Sequence, residues 1–208
     1  KSEIANKQYL FICLTNYSKR SIVNINYALD TIYLYLILIM LTRNIKNENY
    51  LYFLGGFVEG EGSFSFSVSI HKDFKYGIKI QPVFNVTQHK NGLKILNSFK
   101  ELFNEGSINL KSGSPNVYVY TLKGYNKIIK LVLPFLETYL CPFSCKIEEY
   151  SIFKQVVLQS SEGKKKNKET LIDLVKLSYS LTGKGKTRKR SLSEILEIIE
   201  NKDIYFNK

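Results

Sequence analysis

The stretch Tyr50-Leu-Tyr-Phe-Leu-Gly-Gly-Phe-Val-Glu-Gly-Glu-Gly-Ser63 begins as a helix and ends in alternating glycine and acid. Its apolar residues recur at the spacing of one helical face, at Leu51, Leu54, Phe57 and Val58. A polar residue just upstream, Asn47 or Asn49, can cap the helix. The stretch therefore predicts an amphipathic helix.

This helix contains residues that are unfavourable in a helix. Gly55 and Gly56 each cost about 1 kcal/mol relative to alanine in a helix interior. Glu59 and Glu61 stand at the C-terminal end, where the helix dipole disfavours an anion by about 0.3–1 kcal/mol. A glycine pair lets another backbone approach, and two carboxylates suit a hard divalent cation. The helix ends in Gly60 and Gly62, which free the backbone to turn sharply. The alternative is a glycine-rich C-cap before a strand, with two solvated acids.

Residues Leu54 to Gly62, in order Leu-Gly-Gly-Phe-Val-Glu-Gly-Glu-Gly, resemble the LAGLIDADG motif of homing endonucleases position by position. The resemblance continues in Val-Phe-Asn-Val-Thr-Gln-His at 83–89 and covers roughly residues 50 to 155. It is similar to the single-motif enzymes that are encoded in introns of chloroplast large ribosomal RNA genes. The resemblance implies a homodimeric endonuclease that cuts a long, pseudo-palindromic DNA duplex.

The resemblance also implies roles for individual residues. Glu61 matches the acid that binds the catalytic metal, taken as Mg²⁺, with help from the Gly60 carbonyl. Gln88 matches a residue that positions solvent, and Lys146 one that stabilises charge on the phosphate. Two motif helices cross in such dimers, and the interface predicted on this basis comprises Leu51, Leu54, Gly55, Gly56, Phe57 and Glu59.

Composition points to the same class of partner. The 208-residue chain is 44% hydrophobic, which indicates a globular protein, and its net charge of +12 favours nucleic acid, with an anionic membrane surface second. Its three cysteines, Cys13, Cys141 and Cys145, have no metal-ligand spacing with a histidine. An odd cysteine count without a secretory signal predicts a reducing compartment. Alanine occurs only at Ala5 and Ala28 and tryptophan is absent, a bias that fits an AT-rich organelle genome.

The order of predicted elements indicates an α+β fold, an antiparallel β-sheet saddle with helices on the opposite face. We expect a helical N-terminal extension at 1–49, an endonuclease core at 50–158 and a basic helical tail at 159–208. The apolar run at 32–41 is too short to span a bilayer and predicts a packed helix in preference to a membrane-associated one. The predicted elements after the motif are two hairpins (63–87 and 106–122) and helices at 91–103, 125–135 (ending near Pro134), 146–158, 169–181 and from Leu192.

The first hairpin alternates apolar and polar side chains, so one of its faces is buried and the other is polar. A polar sheet face can lie in the major groove and read base edges, although serine at every second position is also typical of a solvated face. The predicted DNA-binding residues are Ser65, Ser67, Ser69, His71, Lys72, Lys75, Lys79, Gln81, Asn85, Thr87, His89, Lys90, Asn109 and Lys111.

Three classes of function follow from this reading. The first is a site-specific, metal-dependent DNA endonuclease encoded by a group I intron. The second is an intron maturase, an RNA-binding splicing cofactor without nuclease activity. The third is a general basic binding module or a membrane-surface protein that uses residues 32–41. The presence of Glu61, Gln88 and Lys146 favours the nuclease.

Overall fold

A computed structural model describes residues 47–161, 167–181 and 188–206 of the chain. The expected N-terminal helix, its apolar run at 32–41 and Cys13 lie outside the described residues. Within the described ranges, no helix is long and apolar enough to cross a bilayer.

The motif helix, α1, spans Glu48–Glu61. Asn47 is its N-cap, as predicted, because its side-chain oxygen accepts a hydrogen bond from the Asn49 amide at 3.0 Å. Leu54 and Val58 are fully buried, so the predicted apolar face is the one that packs on the core.

Helix α1 leads without a loop into strand β1, Gly62–Ile70. Gly62 has an extended backbone, with φ −79° and ψ 154°, so the expected sharp turn is wrong. The residue has to be glycine for a different reason. A Cβ atom there would lie 2.5 Å from Val58 Cγ1 and 2.6 Å from the Val58 carbonyl oxygen, closer than real contacts allow.

The sheet contains β1, β2 (Ile78–His89), β3 (Ser107–Leu110) and β4 (Val117–Lys123). The strands are ordered β1-β2-β4-β3, and every neighbouring pair is antiparallel. The register pairs Ser65 with Val83, Asn85 with Thr121 and Thr121 with Ser107. Odd-numbered residues pair with odd throughout, so they share one face of the sheet and even-numbered residues share the other.

The remaining helices occur along the chain in the predicted order. A 3₁₀ turn at Lys90–Gly92 precedes α2, Leu93–Phe103. After β4, a helical turn at Tyr125–Lys127 and a π-helical turn at Ile128–Val132 lead into α3, Leu133–Tyr139. The later helices are α4 (Ile147–Ser161), α5 (Lys168–Leu181), α6 (Leu192–Glu200) and α7 (Lys202–Phe206).

The predicted end of a helix near Pro134 is wrong, because α3 continues to Tyr139. Proline normally breaks a helix since it lacks an amide hydrogen and clashes with the preceding turn. Here the π-helical turn ends just before it, and Pro134 falls in the first turn of α3. Proline is tolerated in the first turn of a helix, since its fixed φ suits the helical backbone.

One hydrophobic core lies between the even-numbered face of the sheet and the helices, which confirms the predicted α+β fold. Phe99 of α2 stands at its centre, with ring centroids 6.0–6.5 Å from those of five other aromatic residues: Phe57, Phe84, Phe103, Tyr120 and Phe135. Helix α4 extends to Ser161, and both α5 and α6 add buried side chains such as Leu174 and Ile195 to the same core. The division of the chain at residues 49 and 158 stays a prediction.

Replacing Phe99 with alanine should destabilise the fold by about 3–5 kcal/mol, because the fully buried ring would leave a cavity in the core. Phe74→Ala is the matched control, since that ring is 42% exposed in the β1–β2 connection, and it should change stability by less than about 1 kcal/mol. Urea unfolding followed by circular dichroism measures both. Equal losses from the two variants would contradict this assignment of the core.

Candidate functional site

The odd-numbered face of the sheet carries the polar side chains that the sequence indicates. Serines of β1 stand beside lysine, glutamine and asparagine of β2, and the backbone register puts them on one surface. The predicted DNA-binding residues on this face are Ser65, Ser67, Ser69, Lys79, Gln81, Asn85, Thr87, His89 and Asn109.

The other predicted DNA-binding residues border this face. His71, Lys72 and Lys75 are exposed in the β1–β2 connection, which is closed by a hydrogen bond of 2.8 Å from the His71 amide to the Gly77 carbonyl. The 3₁₀ turn after β2 carries Lys90, and exposed Lys111 follows β3 directly.

Strand β4 contributes residues that the sequence reading missed. Thr121 donates a hydrogen bond of 2.8 Å to the Asn85 side-chain oxygen and so joins β4 to the polar face. Together with Ser107, Lys123 and Asn109, it lines a groove of about 340 Å³. The alternation of polar and apolar residues in the sequence could have identified them, since Thr121 and Lys123 alternate with the inward-facing Tyr120 and Leu122.

Glu61 stands at one end of this sheet, as the last residue of α1. Its carboxylate is exposed and makes no hydrogen bond or ion pair within the described part of the chain. The register pairs Gly62 with Val86, so Gln88 lies at the same end of the sheet as Glu61. The Gln88 side-chain oxygen accepts a hydrogen bond of 2.7 Å from the His89 amide.

Glu59 is in a different situation from Glu61, although both belong to the last turn of α1. Its carboxylate accepts hydrogen bonds from the Ser144 hydroxyl and, at 2.9 Å, from the Cys145 amide. The hydrogen bond from Ser144 lowers the pKa of Glu59, so the carboxylate is ionised at neutral pH. Lys146 adjoins this contact, and its positive charge favours the same ionised form. The structure thus brings Glu59 and Lys146 together and leaves Glu61 free.

The two glycines inside α1 also differ. A Cβ on Gly55 would lie 2.0 Å from the Tyr139 carbonyl oxygen, so this glycine admits the backbone of α3 from the same chain. Leu54 is likewise fully buried within the chain. These two predicted interface residues therefore face inward, since both are buried by contacts within their own chain. A Cβ on Gly56 would meet no atom of the described residues within 4 Å.

The outward face of α1 is apolar, and no described residue covers it. Tyr52 and Phe53 are 52% and 48% exposed, and Gly56 and Gly60 continue the same face toward the acidic end. Of the other predicted interface residues, Leu51 and Phe57 are half-buried at its borders.

Known endonucleases are similar to this chain in sequence. I-CeuI, a DNA endonuclease from Chlamydomonas moewusii, is 39% identical over 107 residues, which are 50% of this chain and 49% of that protein. I-ApeII, a homing endonuclease from Aeropyrum pernix, is 31% identical over 151 residues, which are 71% of this chain and 88% of that protein. The matched sequence thus spans about half the length of I-CeuI (49%) and most of I-ApeII (88%).

Solved structures agree with these sequence matches. The archaeal intron-encoded homing endonuclease I-Vdi141I, complexed with DNA, superposes with a TM-score of 0.65 at 34% identity over 76% of this chain and 99% of the other. The structure of I-CeuI, a group I intron-encoded enzyme complexed with DNA, gives a TM-score of 0.66 at 26% identity over 85% of this chain and 91% of the other.

The family model for LAGLIDADG endonucleases matches residues 54–157. That range begins inside α1, crosses the whole sheet and ends in α4, so it contains Glu59, Glu61, Gln88 and Lys146. The motif, the fold and the sequence relatives agree, and the chain belongs to the LAGLIDADG endonuclease family.

Proposed function

We propose that this protein is a site-specific homing endonuclease that hydrolyses both strands of a double-stranded DNA target. The observation that carries the proposal is the unpartnered Glu61 carboxylate at one end of a polar sheet face. A structural acid at a helix C-terminus would be expected to have a compensating partner, and this one has none in the described part of the chain. The relative I-CeuI is encoded by a group I intron, which supports the same origin for this chain, and I-Vdi141I is also intron-encoded.

The polar sheet face is suited to lie in the major groove of the target. Its side chains offer both donors and acceptors, as base-edge recognition requires: Gln81 and Asn85 have both, and Lys79 is a donor. The exposed lysines of the β1–β2 connection, Lys72 and Lys75, are placed at the margin to contact phosphates. The net charge of +12 supports this footprint because phosphate contacts dominate affinity for DNA.

Nucleases of this family depend on divalent cations, and the donors present fit a hard ion. The Glu61 carboxylate and the Gly60 carbonyl supply oxygen ligands, which suits Mg²⁺, the ion that we propose. The described residues contain no group of three acids, histidines or cysteines that would hold a metal alone, so phosphate, water or a second chain would complete the ligand set. When bound, such an ion activates a water molecule and neutralises the leaving oxygen.

Two further side chains complete the proposed chemistry. Lys146 supplies a positive charge for the phosphate as negative charge develops in the transition state. Gln88 lies at the end of the sheet where Glu61 stands, and its amide is suited to orient the attacking water. Both roles rest on the chemistry of the side chains and on their place in the fold, since Lys146 adjoins Glu59 and Gln88 stands near the end of β2 that pairs with the start of β1.

We further propose that the protein acts as a homodimer. A two-fold contact needs a self-complementary surface, and the outward face of α1 offers exposed aromatic rings beside Gly56 and Gly60, which allow close approach. Pairing through this face would bring two Glu61 residues together, one for each strand, and would match a pseudo-palindromic target.

The relatives come from both Chlamydomonas moewusii and an archaeon, so family membership leaves the compartment open. We propose an organelle, because the scarcity of alanine and the absence of tryptophan fit an AT-rich genome.

The decisive experiment uses a pool of circular duplexes that carry a randomised insert. Incubation with the protein and Mg²⁺ should linearise a subset whose inserts share one pseudo-palindromic sequence. Glu61→Gln should bind the recovered duplex as before but cleave it at least about 10²-fold more slowly, since it removes a charged group at the reacting centre. Glu101→Gln, an exposed acid on α2, is the matched control and should cleave normally. Unchanged cleavage by Glu61→Gln would refute the assignment, and tight binding to intron RNA without DNA cleavage would favour the maturase.

The two glycines of α1 give a test of assembly. Gly56→Leu should leave helix content intact but yield a monomer, because its side chain enters open space within one chain and blocks the proposed two-fold contact. Gly55→Ala should instead destabilise the chain by about 1–3 kcal/mol, since its Cβ overlaps the Tyr139 carbonyl. Light scattering and circular dichroism separate the two effects. A Gly56→Leu protein that remains dimeric would exclude this interface.

Base recognition is tested at the centre of the polar face. Gln81→Ala should relax sequence preference at one base pair in each half-site by about 1–3 kcal/mol, the value of one bidentate contact. Gln155→Ala, an exposed glutamine on α4 in the helical layer, should alter no preference. Binding to a panel of single-base variants of the recovered target measures both. An unchanged profile for Gln81→Ala would show that this part of the face does not read bases.

A further inference from the structure

Glu59 reaches from α1 to the turn that precedes α4. Its two carboxylate oxygens divide their contacts between the Ser144 hydroxyl and the Cys145 amide, the latter at 2.9 Å. The same Ser144 oxygen accepts a hydrogen bond from the Lys146 amide at 3.0 Å. A continuous chain of hydrogen bonds therefore runs from the acid of α1 to the backbone of Lys146.

This chain of hydrogen bonds forms where α4 begins. The first amides of a helix have no partner inside the helix, and a serine side chain commonly accepts from one of them. Ser144 does so for Lys146, while its hydroxyl hydrogen is directed to Glu59. Ser144 is only 6% exposed, so water does not readily replace either contact. The carboxylate of Glu59 also lies at the positive end of the α4 dipole, which favours an anion there.

The free acid and the engaged acid of the motif stand two residues apart. Glu61 makes no contact within the described part of the chain, whereas Glu59 is bound on both oxygens. Because both lie in the last turn of α1, an attachment at Glu59 also sets where Lys146 stands relative to Glu61. A carboxylate that is engaged in this way is unsuited to bind a metal directly.

We propose that Glu59, acting through Ser144, is a positioning residue that holds Lys146 beside the acidic end of α1. This inference rests on the proposed nuclease function, in which Lys146 acts on the phosphate. In this role the first acid of the motif fixes the position of the lysine. It neither binds the metal nor takes part in the contact between chains.

A purely structural link between α1 and α4 makes a different prediction from a positioning role. A structural link lowers stability whether or not Lys146 is present. A positioning residue loses its effect on the rate once the side chain it positions has been removed. The pair Glu59 and Lys146 therefore forms a double-mutant cycle that separates the two.

The experiment compares the unmodified protein with Glu59→Ala, Ser144→Ala, Lys146→Ala and the double variant Glu59→Ala/Lys146→Ala. Single-turnover cleavage and binding use the duplex recovered from the randomised pool, with binding measured without divalent cation. We expect Glu59→Ala and Ser144→Ala to cleave about 10- to 100-fold more slowly with unchanged affinity, since a misplacement of a catalytic group by about 1 Å can cost about 10²-fold. In the Lys146→Ala background, Glu59→Ala should produce no further loss. Glu200→Ala, which breaks the exposed pair with Lys168 elsewhere in the chain, is the control and should cleave normally.

A second readout does not depend on cleavage. Hydrogen exchange of the Cys145 and Lys146 amides should accelerate in Glu59→Ala and in Ser144→Ala, and remain unchanged in Glu200→Ala. Unchanged exchange, or an equal rate loss with and without Lys146, would overturn the positioning role. If the unmodified protein cleaves no duplex, the nuclease proposal fails and hydrogen exchange alone decides whether Glu59 holds the turn. Normal cleavage by Glu59→Ala with accelerated exchange would overturn the positioning role and leave the nuclease proposal standing.

Discussion

The direct passage from α1 into β1 is the constraint on which the rest of the site depends. Gly62 is at once the residue that ends the helix and the first residue of the strand, and its amide still bonds to the Val58 carbonyl. No side chain fits there, because Val58 occupies the space. Without a loop at this point, the acids of the last helical turn have a fixed relation to the sheet, and Glu61 stands at the end of the polar face.

The different sides of helix α1 consequently have different surroundings. Its inner face contributes Leu54 and Val58 to the core, and Gly55 admits the backbone of α3. Among the described residues, its outer face remains open at Gly56. Its last turn divides its acids between an internal hydrogen-bond network at Glu59 and the carboxylate of Glu61, which has no partner in that part of the chain. A regular helix accomplishes this because 3.6 residues per turn direct consecutive side chains to different sides.

The polar sheet face is assembled from strands that are distant in the chain. Strand β4 pairs with β2, so Thr121 contacts Asn85. The groove that Thr121 lines therefore lies beside residues of the first hairpin. Antiparallel pairing keeps odd-numbered residues on one surface across all four strands. The opposite surface packs on the aromatic residues around Phe99, so the hydrophobic core lies directly behind the polar face.

Most elements could be predicted from the sequence because their causes are local. Helical spacing in α1, alternation in β1 and β2 and the cap at Asn47 depend on neighbours within a few residues. The resemblance of the motif then identified Glu61 as the candidate metal ligand. The path past Pro134 was not predictable in this way, because the π-helical turn before it reflects packing in the core.

The motif contains two glycines and two glutamates, and only the tertiary structure decided which member of each pair is packed inside the chain. Gly55 and Gly56 are chemically identical and adjacent, yet only the first meets Tyr139, which lies more than eighty residues away in the sequence. Glu59 and Glu61 are likewise the same residue type, and only the first meets Ser144. Local patterns in the sequence determined the elements and the chemistry available at the motif. The partners of these residues come from segments that are distant in the sequence. Packing of α3 against α1 distinguishes Gly55 from Gly56, and the contact with the turn before α4 distinguishes Glu59 from Glu61.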